Sequence, residues 1–260
     1  MDLAIAGKNA LVCASSKGLG RACALSLARE GVHVWMNGRS ADTLEQAAKE
    51  VREVAGGEVH TICCDITTVA GRSDALAAIG PQIDILVNNA GGPPPGDFHD
   101  WEIADWQAAL NANMLTPIEL IKATVDGMAE RGFGRIVNIT SSAVKAPIPI
   151  LGLSNGARAG LTGFVAGVAR QMAPMGVTIN GILPGPFDTD RLRSSLRFAA
   201  QKSGIDFEQA YQQRSATNPA RRFGDPAEFG ELCAFLCSSQ AGYINAQNIV
   251  IDGGAYPGTL

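Results

Sequence analysis

The sequence of 260 residues carries a formal net charge of −4, and 46% of its residues are hydrophobic against 18% charged. This composition excludes a disordered chain and indicates a globular protein with a sizeable core. Lys and Arg form no stripe, which argues against a nucleic acid or a membrane surface as partner and favours a small molecule.

Neither export nor a metal site is predicted. Residues 1–8 lack a basic start and a long apolar stretch, and no later segment is apolar over the length that a bilayer requires. We therefore expect a cytoplasmic protein. The six cysteines form no CxxC pair and have no His-rich spacing, which is typical of buried, reduced thiols rather than metal ligands.

Short β-branched runs alternate with longer segments of helical period along the whole chain, which is typical of βαβ units. The predicted strands lie at 9–13, 32–36, 59–63, 83–87, 135–139, 178–183 and 248–251. The sequence therefore predicts a single α/β domain over residues 1–260. Its Rossmann-type, doubly wound, mostly parallel sheet has about seven strands, with helices on both faces.

Two helix starts can be read from local signals. Apolar residues recur at helical spacing behind Ser40, at positions 44, 47, 48, 51 and 54, which predicts a helix capped by that serine. Near the C-terminus, Asp225 is followed by Pro226 and Glu228, an arrangement that predicts a capping box.

Two stretches break the alternation, namely 91–96, which reads GGPPPG, and the more polar segment 187–219. Both follow predicted strands, where parallel sheets place their ligand crevice. We expect the prolines to form a stiff wall of the substrate pocket. Segment 187–219 is predicted to be irregular and to cover the substrate as a mobile lid.

The turn after the first strand, residues 14–20, reads ASSKGLG and leads into a predicted helix. Unpaired N–H groups and the helix dipole at such a turn attract a phosphate, although the pattern also occurs in plain tight connections. The second strand is followed by Asn37, Gly38 and Arg39 with no carboxylate. An acid there would favour NAD, whereas Arg39, helped by Lys17, can pair with the 2′-phosphate of NADP. The alternative is that both cations are solvated surface charges.

The turn resembles the TGxxxGxG motif of the short-chain dehydrogenase/reductase family, with Cys13 and Ala14 in place of its first two residues. Residues 88–91 match the family's NNAG, residues 184–189 its PGxxxT and residues 252–254 its DGG. From about residue 8 to residue 256, the sequence is thus similar to classical members of this family, in particular to 3-oxoacyl-acyl-carrier-protein reductases.

This resemblance implies that the chain binds a nicotinamide cofactor, and Arg39 with Lys17 predicts NADP(H), with NADPH preferred to NADH. The resemblance also implies a homodimer or homotetramer built on the Ala- and Gly-rich helix of residues 154–175. The implied cofactor-binding residues are Ser15, Ser16, Lys17, Gly18, Leu19, Gly20, Asn37, Arg39, Asp65, Ile66, Asn89, Ala90, Gly91, Arg158, Pro184, Gly185, Phe187 and Thr189.

The family catalyses proton and hydride transfer with Asn, Ser, Tyr and Lys. The resemblance places Asn113 at the Asn position and Ser141, or its neighbour Ser142, at the Ser position. Where YxxxK belongs, the chain has Ser154 and Arg158. These two residues still share one helix face, because they lie four positions apart.

An aliphatic hydroxyl is a far weaker acid than a phenol, and Arg cannot act as a base. The expected function is therefore an NADP(H)-dependent oxidoreductase of a carbonyl/alcohol pair with slow or altered chemistry. Two alternatives stay open: a non-redox enzyme that uses the pocket for C–C cleavage or isomerisation, and an NADP(H)-binding protein without catalysis. In the latter case Ser154 is only a helix N-cap and Arg158 only a ribose contact.

Overall fold

The computed structural model describes residues 1–259, and a seven-stranded parallel sheet lies at its centre. The strands run in the order β3-β2-β1-β4-β5-β6-β7. Their bounds are β1 Asn9–Val12, β2 His33–Gly38, β3 Val59–Cys63, β4 Ile85–Asn88, β5 Gly134–Ile139, β6 Val177–Pro184 and β7 Asn248–Ile251. All seven predicted strands are confirmed, with ends that shift by at most two residues.

Helices connect the strands and pack on both faces of the sheet. Their bounds are α1 Gly18–Arg29, α2 Ala41–Arg52, α3 Val69–Ile79, α4 Ile103–Leu110, α5 Thr116–Glu130, α6 Gly152–Met172, α7 Asp190–Ser203, α8 Phe207–Ala216 and α9 Pro226–Cys237. A π-helical turn, Asn111–Leu115, joins α4 to α5. Within the described residues, no helix is both long and apolar enough to pass through a bilayer.

The two faces of the sheet bury separate apolar clusters. Val12 packs with Leu27 of α1 and Phe229 of α9 on one face, whereas its neighbour Leu11 packs with Leu120 of α5 on the other. Successive residues of a strand point to opposite faces, so strands covered on both sides read as continuous apolar runs. The predicted doubly wound architecture is therefore confirmed.

The predicted helix starts at Ser40 and Asp225 are also confirmed. Helix α2 begins at Ala41, although the Ser40 side chain makes no capping hydrogen bond. At α9 the capping box is complete, because the Asp225 side chain accepts from the N–H of Glu228 and Glu228 Oε2 accepts from the N–H of Asp225 at 2.8 Å. Asp225 Oδ1 also accepts from the N–H of Ala227 at 2.9 Å.

The prediction of irregular structure in segment 187–219 is wrong, because helices α7 and α8 occupy most of it. Their N-caps are Thr189, which accepts from the N–H of Leu192, and Asp206, which accepts from the N–H of Gln209. Each helix buries only two residues, so the apolar stripe that signals a helix is nearly absent from the sequence. The GGPPPG stretch, in contrast, is irregular as predicted.

Candidate active site

The carboxyl ends of six strands open into one cleft of about 890 Å³ at the point where the strand order reverses, between β1 and β4. Most predicted site residues line this cleft together. They are Ser16, Lys17, Gly18, Leu19, Asn37, Arg39, Asp65, Ile66, Asn89, Ala90, Gly91, Ser141, Ser154, Arg158, Pro184, Gly185, Phe187 and Thr189. Three predicted residues do not line the cleft and are buried, namely Ser15, Gly20 and Asn113.

The turn after β1 brings the N-terminus of α1 close to the sheet. A Cβ on Gly20 would overlap the carbonyl oxygen of Ala14, so only glycine permits this approach. Ala14 itself adopts a φ of 46°, and Gly18 a φ of 54°. Gly18 tolerates this left-handed conformation freely, whereas Ala14 adopts it at a cost.

Ser15 and Asn37 hold this turn in place. Asn37 is buried, and its Nδ2 donates to the carbonyl oxygens of Ile62 at 3.2 Å and Cys64 at 3.1 Å. Its Oδ1 accepts from the N–H of Ala14 at 3.3 Å, and its own N–H donates to Ser15 Oγ at 3.0 Å. The two side chains therefore join the turn to β2 and β3, a supporting role that spacing alone did not reveal.

The end of the cleft at β2 is cationic. Lys17 and Arg39 are exposed there, and neither forms an ion pair within residues 1–259. Partial burial opposes ionisation of Asp65, but hydrogen bonds from Thr67 and the charge of Arg39 outweigh it and lower the pKa of Asp65. Two unpaired cations beside the phosphate-binding turn fit the 2′-phosphate of NADP.

At the other end of the cleft, Arg158 is buried, with 8% of its surface exposed. Its Nε donates to Ser154 Oγ at 3.1 Å, and its Nη1 donates to the carbonyl oxygen of Ile139, at the end of β5, at 2.7 Å. Burial, and then the charge of Arg191, lower the pKa of Arg158 to about 10. The group therefore remains a cation at neutral pH.

Ser154 is not a helix N-cap, so that interpretation is wrong. Helix α6 begins at Gly152 with Leu151 at the N-cap position, because a 3₁₀ turn, Pro149–Leu151, leads directly into it. Ser154 thus lies inside the first turn, buried at the cleft, and accepts a hydrogen bond from Arg158. Its own O–H remains available as a donor.

The predicted residues Ser141 and Asn113 differ in their access to the cleft, since Ser141 lines it and Asn113 does not. Ser141 Oγ lines the cleft and accepts from the N–H of Ala143 at 3.1 Å, which leaves its O–H as a donor. Asn113 belongs to the π-helical turn and donates through Nδ2 to the carbonyl oxygens of Gly91 and Ala109, both at 3.4 Å. Its buried Oδ1 has no hydrogen-bond partner among the described residues.

No tyrosine replaces the missing one within residues 1–259. The hydroxyl of Tyr211 donates to Asp188 at 3.1 Å, and Tyr243 is fully exposed. Tyr256 packs under Lys145, whose Nζ lies 5.7 Å from the ring centre. None of the three tyrosines lines the cleft. Lys145 does not line it either, so this lysine is not placed to act as a base there.

Arg191, which lies on α7 and lines the cleft, was not predicted from the sequence. The sequence does contain a signal for this residue. Thr189 of the PGxxxT element is a favourable N-cap, which predicts a helix that begins next to the cleft with Arg191 in its first turn. Pro93 of the GGPPPG stretch also lines the cleft, in agreement with the expectation for the prolines. Further lining residues that no motif predicted include Thr67, Ala108, Asn111, Ala112, Thr140 and Leu151.

Residues 13–256 match the family described as enoyl-(acyl carrier protein) reductase. The chain belongs to the short-chain dehydrogenase/reductase family. It is 29% identical to the NADPH-dependent reductase BacG of Bacillus subtilis, over 95% of this chain and 97% of that protein. It is 31% identical to the 3-oxoacyl-[acyl-carrier-protein] reductase FabG of Aquifex aeolicus, over 98% of this chain and 100% of that protein.

Among solved structures, the L-sorbose reductase from Gluconobacter frateurii in complex with NADPH and L-sorbose superposes with a TM-score of 0.94. It shares 28% sequence identity, and the match covers 99% of this chain and 100% of that one. The predicted short-chain dehydrogenase/reductase membership is therefore confirmed, and the chain is an oxidoreductase of this family. The expectation of NADP agrees with the cofactor named for BacG and for the sorbose reductase.

Proposed function

We propose that this protein is an NADPH-dependent reductase of a carbonyl compound in which Ser154 and Arg158 act in place of the usual Tyr and Lys. The observation that carries the proposal is the position of Arg158. It supplies a buried cation at the end of β5, hydrogen-bonded to a serine hydroxyl that itself lines the cleft.

The cofactor fits the residues of the cleft. The N-terminus of α1 at Gly18 suits its pyrophosphate, and Arg39 with Lys17 suits its 2′-phosphate. Asp65, Asn89 and the segment 184–189 line the remaining length of the cleft. When bound, NADPH supplies the hydride.

The protein's own groups handle the oxygen of the substrate. The hydroxyls of Ser141 and Ser154 donate hydrogen bonds to it, while the nearby Arg158 cation stabilises the negative charge that develops on it. An aliphatic hydroxyl and water are both weaker acids than a phenol, so we expect a water molecule bonded to these serines to relay the proton from solvent and turnover to be slow. Arg158 also keeps the ribose contact of the absent Lys, because a guanidinium has five N–H donors and two are used within the protein.

Two further expectations belong to this proposal. Helix α7 contributes residues to the cleft lining yet buries only Leu196 and Ala200, which supports a cover that moves when the substrate enters. On α6, Gly163 and Gly167 are exposed and leave open space where a Cβ would stand. This face admits a close second helix, which supports a homodimer or homotetramer.

The test combines binding and turnover in one protein sample. NADPH and NADH are titrated, and ketones and β-keto esters are then screened for NADPH oxidation. Arg158→Leu is compared with Arg170→Leu, an exposed arginine of the same helix. We expect tighter binding of NADPH than of NADH, and a loss of about 100- to 1000-fold in turnover for Arg158→Leu alone.

Equal turnover of both variants would contradict the role of Arg158. NADPH binding without turnover of any carbonyl would favour the alternative of a non-catalytic NADP(H)-binding protein, an alternative motivated by the lack of a tyrosine in the cleft lining. In that case the double variant Ser154→Tyr with Arg158→Lys should gain reductase activity, because it restores a proton donor with a suitable pKa.

A further inference from the structure

Two guanidinium groups from different helices flank Gly92 at the substrate end of the cleft. The point where a Cβ of Gly92 would stand lies 2.8 Å from Nη1 of Arg191 and 3.5 Å from Nη2 of Arg158. Arg158 comes from α6 and Arg191 from α7. The absence of a side chain at Gly92 therefore leaves a space that both cations face.

Neither cation is neutralised within the described residues. Arg158 and Arg191 form no salt bridge there, although the neighbouring Arg193 binds both carboxylate oxygens of Asp188 at 2.6 and 2.7 Å. The contact of Arg191 Nη2 with the carbonyl oxygen of Pro93 is long, at 3.5 Å. Asp190 also lines the cleft without pairing with either group.

Arg158 is buried, whereas Arg191 is exposed to solvent, so the cost of an unpaired charge falls on Arg158. Burial and the charge of Arg191 both lower the pKa of Arg158, which shows that the two cations repel each other. A buried cation is normally compensated by a partner, and guanidinium forks match the two oxygens of a carboxylate. The proposed partners of the cofactor's 2′-phosphate, Arg39 and Lys17, lie at the β2 end of the cleft. Its pyrophosphate is assigned to Gly18, where a Cβ would lie 3.6 Å from Cγ2 of Thr189, so the experiment must separate a role of Arg191 towards the cofactor from one towards the substrate.

We infer that Arg158 and Arg191 bind a carboxylate of the substrate, so that the substrate is a short oxo acid. Because Arg158 also contacts Ser154, whose hydroxyl holds the reacting oxygen, the carboxylate is one or two carbons from the carbonyl. This inference rests on the proposed reductase function and names its substrate class. Arg191 is then a specificity-determining residue contributed by α7.

The experiment measures binding by calorimetry, so it does not depend on turnover. The probes are two unreactive carboxylates, oxamate and malonamate, each compared with its neutral diamide, oxamide and malonamide. The protein is titrated without cofactor and saturated with NADP⁺, in a buffer free of phosphate and sulfate. Arg191→Leu is compared with Arg197→Leu, an exposed arginine of the same helix that packs on Phe207 and does not line the cleft.

We expect at least one carboxylate to bind ten times or more tightly than its diamide. Arg191→Leu should abolish this preference, whereas Arg197→Leu should keep it. Gly92→Ala, which places a methyl group between the guanidinium groups, should also weaken binding of the carboxylate probe at least tenfold.

Equal binding of carboxylate and diamide, or no binding of either, would overturn the inference. A loss of NADP⁺ affinity in Arg191→Leu with carboxylate binding unchanged would also overturn it, because Arg191 would then serve the cofactor. If NADP⁺ itself does not bind, the proposed function fails, while the titration without cofactor still decides whether the anion site exists.

Discussion

Arg158 and Ser154 are hydrogen-bonded to each other across one turn of α6, with Nε of the guanidinium 3.1 Å from Oγ of the serine. In the proposed function, Ser154 acts in place of the family's Tyr and Arg158 in place of its Lys. The two replacements therefore form one unit, in which the serine satisfies a donor of a buried cation. Changing either residue alone alters the surroundings of the other.

The first prediction concerns the stability of this unit. Ser154→Ala leaves Nε of a buried guanidinium unpaired, so the free energy of unfolding should fall by about 1–3 kcal/mol. Urea denaturation measures this loss. Ser194→Ala, at an exposed position of α7, serves as the control and should change stability little. In a protein that already carries Arg158→Leu, Ser154→Ala should lower the free energy of unfolding much less. If the losses of the two single variants simply add in the double variant, the two residues are not coupled.

Arg39 should determine the choice between cofactors. Because it is unpaired within residues 1–259 and faces the cleft, Arg39→Ala should weaken NADPH binding by about 10- to 100-fold, the value of a lost charge-assisted hydrogen bond. Fluorescence titration should show little change for NADH. Lys202→Ala, an exposed cation at the end of α7, should affect neither cofactor. Equal losses for NADPH and NADH would mean that Arg39 does not contact the 2′-phosphate.

Replacing Ala14 by glycine, the residue of the family's motif, should stabilise the protein. Its φ of 46° is strained for any residue with a Cβ, so Ala14→Gly should raise the free energy of unfolding by about 1 kcal/mol. The matched control is Ala77→Gly at an exposed position within α3, which should lower it by a similar amount. Urea denaturation of both variants checks the difference. If Ala14→Gly proves as destabilising as Ala77→Gly, the backbone at Ala14 is not strained.

The cap of α9 should be sensitive to acid. Hydrogen bonds from Arg222, followed by one from the N–H of Asp225, lower the pKa of Glu228 from 4.5 to about 2. A carboxyl whose pKa is depressed on folding stabilises the protein above pH 4.5 and loses this contribution as the pH falls towards 2. Glu228→Gln should thus lower the free energy of unfolding at neutral pH by about 1 kcal/mol, a modest value because both side chains are exposed.

Urea denaturation at several pH values measures this effect. The difference between wild type and Glu228→Gln should shrink as the pH falls below 4.5. Glu130→Gln, at an exposed position of α5 with no ion pair among the described residues, should show no such difference. A difference that stays constant with pH would assign the loss to packing rather than to charge.

Much of the site could be read from the sequence because its residues follow strand ends. The turn at 14–20, Arg39 and Ser141 each come directly after a β-strand, and parallel strands bring their carboxyl ends to one edge. Asn37 was placed correctly in the cleft, yet its work in joining three segments of backbone was not predictable. Those bonds depend on the register of β1, β2 and β3.

The amino-acid sequence by itself determined the seven strands, because the continuous apolar runs of a sheet covered on both faces are local signals. It also predicted the turn between β1 and α1, and it places Ser154 and Arg158 four residues apart on one helix. Only the tertiary structure decided that Arg191 meets Arg158 at Gly92, since the three residues come from α7, α6 and the loop after β4. Contacts between segments so distant along the chain arise from packing on the sheet, and no local pattern encodes them.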